Sequence, residues 1–271
     1  MGVRKNLKVG LVDWSYLDNE SGDELWLAFH GYGQEAEVMF HFMKTLRPNA
    51  RILSFDLPLH GETTINKKQS LSASDVGELL VFALQEVDAK KCSLVGFSLG
   101  GKMVLKMVET APVKIDRFLL MAPDGLKVNP LYWFVTHTII GQLLFEFVIA
   151  YPQPFLGTSR LLAKFGLMDK KIDQFVTAQM GTREKRKKVL KTWITFKNIT
   201  PSLEQVPKCV WRYKIKPTLV FGKWDRVIHP KLAKKLSGEN CKTAEVIMLD
   251  AGHNLTTKAI AQTLKDQVNF D

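Results

Sequence analysis

The sequence predicts an α/β protein built on a doubly wound, mostly parallel sheet. Short, nearly continuous apolar runs recur along the chain, and segments with helical spacing of apolar residues stand between them. Strands of a parallel sheet are buried on both faces, so they lack the polar alternation of an exposed antiparallel strand. With 271 residues, the chain can bury one such core and still carry an insertion.

Each element follows from its own apolar pattern. In the first third of the chain the predicted elements are a strand at 7–14, a strand at 25–29, a helix at 36–46, a strand at 51–56 and a helix at 72–87. Ser72 or Ser74 is expected to cap the last of these helices. The later elements are strands at 92–95, 117–123, 217–222 and 244–249, with a helix at 102–108 and another at the C-terminal end.

The alternation of strands and helices stops between residues 125 and 213. This segment is rich in aromatic residues and helical in its spacing. We therefore expect residues 1–124 and 214–271 to form the core and residues 125–213 to form a helical insertion.

The longest apolar stretch of the protein, Leu131–Tyr151, lies in this insertion. It is long enough to span a bilayer, but His137, Gln142 and Glu146 interrupt it and Gly141 is a candidate break. A membrane span here would also divide the core. The sequence therefore favours helices that cover an apolar pocket.

Residues 96–100 read Gly-Phe-Ser-Leu-Gly, directly after a predicted strand and directly before a predicted helix. In that context a Gly-x-Ser-x-Gly sequence indicates a nucleophile elbow, a tight turn that exposes its serine, here Ser98. The glycines on either side leave room for neighbouring chain. A serine in an ordinary glycine turn is the alternative interpretation.

A serine hydroxyl needs a base to become a nucleophile, and the base needs an acid to orient it. His253 follows a late strand and precedes the C-terminal helix, and Asp225 stands just past the end of the strand before it. The chain order serine, acid, histidine is that of a hydrolase triad on a parallel sheet. We expect Ser98, Asp225 and His253 to be the catalytic residues.

Acyl transfer also needs N–H donors for the developing oxyanion. The backbone N–H of Leu99, next to the nucleophile, is one candidate. The backbone N–H of Tyr32 is the other, because Tyr32 follows His30-Gly31 at the end of a predicted strand. His30 is interpreted as a residue that organises this loop.

Together these motifs make the chain resemble an α/β-hydrolase-fold protein of the capped serine hydrolase type, similar to esterases and lipases. The matching segments are 30–33, 56–61, 96–100, 222–225 and 252–253. Relatives usually have Asp-x-Pro-Gly-His-Gly at the second of these, where this chain has Leu59 in place of the central glycine. The resemblance covers the two core segments and implies that residues 125–213 form a cap, or lid.

The resemblance adds further candidate residues. Some relatives keep the triad acid at the position of Asp124, and Asp225 is preferred for its Gly-x-x-Asp context. Some relatives that act on acidic menaquinone intermediates carry Arg at the position of Lys102, so Lys102 is a candidate contact for a substrate carboxylate. A helix-surface lysine is the interpretation that the sequence favours. Trp133 and Phe134 are candidate substrate contacts from the cap.

The composition, the cysteines and the N-terminal residues limit the classes of protein to which the chain could belong. Apolar residues make up 46% and charged residues 24% of the chain, as in ordinary soluble domains. The N-terminus lacks the apolar run of a signal peptide, and the three cysteines cannot all pair, which favours a reducing, cytoplasmic location. The sequence has no metal-ligand spacing and no phosphate-binding glycine loop, so no metal and no cofactor is expected.

The net charge is +11, and much of it comes from Arg183–Lys191. This run is interpreted as a solvated helix face, with weak contact to an anionic membrane surface or steering of an acidic substrate as alternatives. Nucleic acid is not an expected partner, because no stacking aromatic platform accompanies the basic residues.

The sequence therefore predicts a serine hydrolase that cleaves a carboxylic ester or a related small acyl substrate with an apolar group. The same triad serves carbon–carbon bond hydrolases, and the fold also serves menaquinone-pathway lyases and non-catalytic small-molecule receptors. These remain the alternatives.

Overall fold

The computed structural model describes residues 2–66, 70–164 and 177–268. The chain divides into two compact units. The first consists of Met1–Lys127 and Ile199–Asp271, and the second of Val128–Asn198.

The first unit contains one sheet. Its strands within the described residues are β1 (Val3–Val9), β2 (Val12–Asp18), β3 (Leu25–Phe29), β4 (Arg51–Phe55), β5 (Thr64–Ile65), β6 (Cys92–Phe97), β7 (Ile115–Met121), β8 (Lys216–Gly222) and β9 (Glu245–Leu249). The strand order is β1-β2-β4-β3-β6-β7-β8-β9, with β5 paired to β2. From β4 to β9 along this order every pair is parallel, and β2 pairs antiparallel with β1, β4 and β5. The predicted doubly wound, mostly parallel sheet is confirmed.

The longer helices are, in chain order, α1 (Ala36–Leu46), α2 (Ala73–Glu86), α3 (Leu99–Thr110), α4 (Pro130–His137), α5 (Ile139–Ala150), α6 (Gln153–Lys164), α7 (Arg183–Thr195), α8 (Gln205–Tyr213) and α9 (Lys258–Gln267). Ser72 caps α2, and Asp75 completes a reciprocal capping box with it.

Helices cover the sheet because alternate residues of a buried strand point to opposite faces. On one face, Trp26, Val95 and Leu119 join a buried apolar cluster with residues of α1 and α9. Elsewhere α3 packs across β3, β6 and β7 and also contacts α2 and α8. The residues of α3 from Leu99 to Val108 are all buried.

The structure differs from the predicted strand at 7–14, which is two strands joined by a tight turn. Gly10 takes a φ of +55°, which reverses the chain between β1 and β2, and the two strands pair antiparallel. The apolar alternation runs through the turn, so it concealed the reversal.

The boundary of the insertion also differs from the predicted 125–213. The second unit ends at Asn198, and α8 belongs to the first unit because it packs on α3 and buries Val206 and Val210.

The second unit contains α4 to α7 and its own apolar contacts. Trp193 of α7 lies 5.4 Å from the Tyr132 ring and 5.5 Å from the Phe145 ring, measured between centroids. The Leu131–Tyr151 stretch is divided at Thr138, whose side chain caps α5 through the N–H of Gly141.

Gly141 is therefore not the break that the sequence suggested. It lies inside α5, where a Cβ would stand 2.3 Å from the carbonyl oxygen of Phe134, so the close approach of α4 and α5 requires glycine. In the described residues no single helix has the length and apolarity to cross a bilayer. Together α4 and α5 do, but they bend by 99° at their junction.

The loop after β4 is organised by a buried carboxylate. Asp56 accepts the N–H of Ala36 at the start of α1 (2.7 Å), Arg4 Nη1 (2.7 Å) and the N–H of Glu62 (3.1 Å). Buried carboxylates require such donors, because an unpaired buried charge is costly. One side chain thereby joins β1, α1 and the 57–62 loop.

This loop contains two residues with positive φ, Leu59 at +67° and Gly61 at +50°. Leu59 adopts a left-handed conformation that favours glycine, so its side chain carries strain there. At Gly61 a Cβ would stand 2.1 Å from the carboxyl carbon of Asp56, so glycine is required at that position.

We predict that Gly61→Ala destabilises the protein by about 2 kcal/mol or more beyond Gly238→Ala. Gly238 is the matched control, since its φ is +64° but a Cβ there would meet open space, leaving only the backbone cost of about 1–2 kcal/mol. Denaturant unfolding of both variants measures the difference. Equal losses would mean that the Asp56 contact does not require glycine.

Candidate functional site

Ser98 stands on a strained turn between β6 and α3. Its φ and ψ are +48° and −113°, a region that side-chain-bearing residues rarely occupy. Three backbone hydrogen bonds hold it there: the Ser98 N–H donates to Met121 O (3.0 Å), and the Ser98 carbonyl accepts from the N–H groups of Gly101 and Asp124 (both 2.9 Å). The ends of β6 and β7 thus fix the serine.

The glycines flanking Ser98 allow this turn to fit. A Cβ on Gly96 would stand 2.6 Å from Gly100 O, and a Cβ on Gly100 would stand 2.1 Å from Phe29 O at the end of β3. Both contacts are with backbone that cannot move away. The first turn of α3 therefore lies directly against the sheet.

The side chains of Ser98, His253 and Asp225 form one chain of hydrogen bonds. His253 Nε2 lies 3.1 Å from Ser98 Oγ, and His253 Nδ1 lies 2.7 Å from Asp225 Oδ2. The three residues come from loops at the carboxyl ends of β6, β9 and β8, which meet at one edge of a parallel sheet.

Asp225 is buried, and its second carboxylate oxygen also accepts hydrogen bonds. Asp225 Oδ1 accepts the N–H groups of Val227 (2.8 Å) and Ile228 (2.9 Å). These bonds fix the carboxylate and compensate its burial. His253 is held on a second side by the Phe97 ring, at 5.1 Å between centroids.

Asp124 is in a different environment. Its side chain is 37% exposed, and its carboxylate lies 3.4 Å from Lys102 Nζ and accepts the N–H of Gly125 (2.7 Å). The structure thus brings Asp225, not Asp124, into hydrogen-bond contact with His253.

Lys102 is buried in the first part of α3 beside Asp124. The favoured interpretation, a helix-surface lysine, is therefore wrong, because every residue of α3 from Leu99 to Val108 is buried. The interpretation of Lys102 as a contact for a substrate carboxylate stays a prediction.

The predicted oxyanion donors lie in the first turn of α3 and in the loop after β3. In the described part of the chain, the backbone N–H groups of Leu99 and Tyr32 donate to no other group of the protein. Leu99 is the first residue of α3, where N–H groups have no partner within the helix and the helix dipole favours negative charge.

His30 organises the loop that carries Tyr32. It is fully buried; its Nε2 accepts the N–H of Leu57 (3.0 Å), so Nδ1 carries the proton and donates to Gly31 O (2.7 Å). His60 acts similarly from the next loop: its Nε2 accepts the N–H of Gly33 (3.0 Å) and its Nδ1 lies 3.1 Å from Pro58 O. Two neutral imidazoles thus join the loops after β3 and β4.

Three contributors were not predicted from the sequence. His60 belongs to a motif that was noted but given no role, and Phe97 occupies the variable position before the serine. Gln34 accepts the N–H of Gly31 (3.0 Å) and donates to Thr256 Oγ1 (3.0 Å). Of these three residues, only His60 could have been predicted from the sequence, because it belongs to the 56–61 motif.

Burial raises the pKa of Tyr32 to about 12, so its hydroxyl stays protonated throughout the neutral range. Burial also raises the pKa of the Cys92 thiol, at the start of β6, which disfavours a thiolate. Among the described residues, no three His, Cys, Asp or Glu side chains are grouped to hold a metal ion.

The remaining predicted substrate contacts, Trp133 and Phe134, belong to the second unit. Trp133 is half exposed and stacks on His137, with ring centroids 5.5 Å apart. The Phe134 carbonyl accepts from Thr138 Oγ1 (2.8 Å). Their role toward a substrate stays a prediction.

Comparison with known proteins places this arrangement in a family. A family model described as alpha/beta hydrolase fold matches residues 27–256. The chain is 25% identical over 276 residues to the dihydrolipoyllysine-residue acetyltransferase component of an acetoin cleaving system of Pseudomonas putida; the match covers 96% of this chain and 66% of that protein.

The chain is also 22% identical over 244 residues to the uncharacterized hydrolase YugF of Bacillus subtilis (strain 168), covering 86% of this chain and 84% of that one. Among solved structures, a thermophilic esterase from Thermogutta terrifontis superposes with a TM-score of 0.70 at 13% identity, covering 98% and 97% of the two chains. The protein belongs to the alpha/beta hydrolase fold family.

Proposed function

We propose that the protein is a serine hydrolase that cleaves a carboxylic ester or a related small acyl substrate with an apolar group. The observation that carries the proposal is the hydrogen-bond chain from Ser98 Oγ through His253 to the buried carboxylate of Asp225. A nucleophile, a base and an orienting acid within hydrogen-bond reach are what acyl transfer through serine requires.

In the first half of the proposed reaction, Ser98 Oγ attacks the carbonyl carbon and His253 Nε2 accepts the hydroxyl proton. Asp225 holds His253 with Nδ1 protonated, leaving Nε2 free to act as a base, and stabilises the imidazolium that forms. The bond to the leaving alcohol then breaks, and the alcohol takes the proton from His253. Ser98 keeps the acyl group as an ester.

In the second half, water replaces the alcohol. His253 accepts a proton from the attacking water and returns one to Ser98 Oγ as the acyl bond breaks, so the acid is released and the enzyme is restored. In both halves the carbonyl oxygen becomes an oxyanion. The N–H groups of Leu99 and Tyr32, which have no partner among the described residues, are the proposed donors to it.

An apolar substrate group is supported by the surroundings of the proposed nucleophile. Phe97 packs on His253, and the ring of the half-buried Tyr32 lies nearly perpendicular to that of His60, with centroids 5.4 Å apart. Apolar and aromatic walls with few polar groups are typical of small-molecule pockets. Trp133 and Phe134 stay proposed contacts for the apolar group of the substrate.

We predict that Ser98→Ala abolishes hydrolysis of p-nitrophenyl acetate, with a loss of kcat of about 10³-fold or more. Thermal unfolding serves as the folding control, because the substitution removes one hydroxyl and leaves the backbone unchanged. Full activity in a folded variant contradicts the mechanism. If the wild type reacts rapidly with a fluorophosphonate yet turns over no member of an acyl panel, the protein is a receptor rather than an enzyme.

We predict that Asp225→Asn lowers kcat by about 10⁴-fold, since an amide favours the wrong histidine tautomer and cannot stabilise the imidazolium. Asp124→Asn is the matched control, with the same chemical change on an aspartate that pairs with Lys102. Its effect on kcat is expected to be mild. The reverse ranking of the two variants would assign the acid to Asp124.

We predict that kcat/KM for p-nitrophenyl esters rises several-fold from acetate to butyrate and then levels or falls. Each CH₂ transferred to an apolar pocket contributes about 0.8 kcal/mol, until the pocket is full. Steady-state kinetics over the ester series measures the trend. A steady decline from acetate onward would argue for a small polar site and would leave the roles of Ser98, His253 and Asp225 untouched.

A further inference from the structure

Helix α5 has an apolar surface that is exposed among the described residues. Within this helix only Gly141, Phe145 and Ile149 are buried. Five large apolar residues are between 54% and 79% exposed: Ile139, Ile140, Leu143, Leu144 and Phe147. Their spacing, one, four, five and eight residues after the first, places them in one stripe along the helix. We call these five residues the α5 stripe.

A surface helix in water normally turns charged or polar residues outward. Here the buried strip and the exposed stripe are both apolar, and Glu146 is the single charged residue of α5. Contiguous exposed apolar surface of this kind marks a site of association with a protein or a membrane.

The basic helix α7 lies beside α5. Arg186 of α7 is buried and donates from Nε (3.2 Å) and Nη2 (2.9 Å) to the carbonyl of Ile149, one of the last carbonyls of α5. It thereby satisfies an oxygen that has no partner within the helix.

The other cations of α7 differ in their surroundings, since Lys188 is half-buried and Lys185 Nζ donates to Ala178 O (2.9 Å). Four of them are exposed: Arg183, Lys185, Lys187 and Lys191. The second unit thus combines an uncovered apolar stripe and a group of exposed cations on two neighbouring helices, in a protein of net charge +11.

We propose that the α5 stripe docks on an anionic lipid bilayer, with the exposed cations of α7 contacting the lipid headgroups. A bilayer offers an apolar phase next to negative charge, and this matches both features. Each Lys or Arg near an anionic surface contributes about a five-fold gain in binding. A helix of 12 residues is about 18 Å long, too short to span the roughly 30 Å hydrocarbon core, so α5 lies in the interface.

A second copy of this chain fits the same surface less well. Two protomers of charge +11 joined at their α5 stripes would bring both sets of α7 cations toward one interface, where like charges repel. An anionic bilayer removes that repulsion.

The test measures cosedimentation of the purified protein with vesicles of phosphatidylglycerol and phosphatidylcholine in equal parts, and with vesicles of phosphatidylcholine alone. We expect binding to the anionic vesicles that weakens at least ten-fold without phosphatidylglycerol and falls as salt rises. Ile140→Gln with Leu144→Gln should weaken binding about ten-fold or more. Lys185→Gln, Lys187→Gln and Lys191→Gln combined should weaken it by about a hundred-fold and flatten the salt dependence.

Matched controls come from the first unit. Phe82→Gln with Val113→Gln removes two exposed apolar residues, and Lys231→Gln, Lys234→Gln and Lys235→Gln together remove three exposed charges. Both controls should bind the anionic vesicles as the wild type does. Thermal unfolding checks the fold of every variant, and the charge variant carries the test if the apolar variant does not fold.

Absence of wild-type binding to anionic vesicles overturns the proposal, and so does unchanged binding by either α5 or α7 variant. Light scattering tests the competing occupant: a dimer that Ile140→Gln with Leu144→Gln disrupts, without effect on vesicle binding, assigns the stripe to a second copy. Sedimentation does not depend on ester turnover, so this outcome is separate from that of the proposed hydrolase activity.

Discussion

The close approach of the first turn of α3 to the carboxyl ends of β3 and β7 is the constraint on which the site depends. Gly100 lies so near Phe29 O that no Cβ fits, and the backbone of Ser98 is bonded to Met121 and Asp124. These contacts hold Ser98 at a φ of +48°, at a cost of about 1–3 kcal/mol. The buried sheet supplies the rigidity that maintains this strain, so the nucleophile's position follows from packing rather than from the loop alone.

A second constraint is the buried Asp56, which acts on the opposite side of the site. Its bonds to Arg4, Ala36 and Glu62 fix the loop after β4, and His60 in that loop then holds the backbone at Gly33. The N–H of Tyr32 is therefore oriented by a relay that begins at β1. The antiparallel hairpin lies beside β4 and supports the loop after it in two ways: Arg4 binds the Asp56 carboxylate, and Ser15 O accepts the N–H of Asp56 (2.9 Å).

The elements that were predicted correctly are those whose apolar residues follow a regular pattern along the chain. Strands β3, β6 and β8 are buried runs without alternation, and α1 was predicted with the bounds it has, because its apolar spacing is regular. The β1–β2 reversal was missed because the alternation of apolar residues continues on both sides of the turn at Gly10. The placement of Asp225 beside His253 followed from chain order, whereas the burial of Lys102 did not, since the sequence near Lys102 does not reveal how α3 packs.

The insertion shows a different limit, since apolar composition alone does not say whether a helix is covered. Leu131–Tyr151 was predicted to form helices that cover an apolar pocket; Phe145 is buried against Trp193, while Phe147 is exposed. The basic run is likewise not uniform, because Arg186 is buried on the end of α5 while its neighbours face solvent. A helical period assigns residues to faces, but only the tertiary contacts determine which face is buried. Arg186 therefore serves the packing of the second unit, and the charges available to a partner are those of the remaining cations.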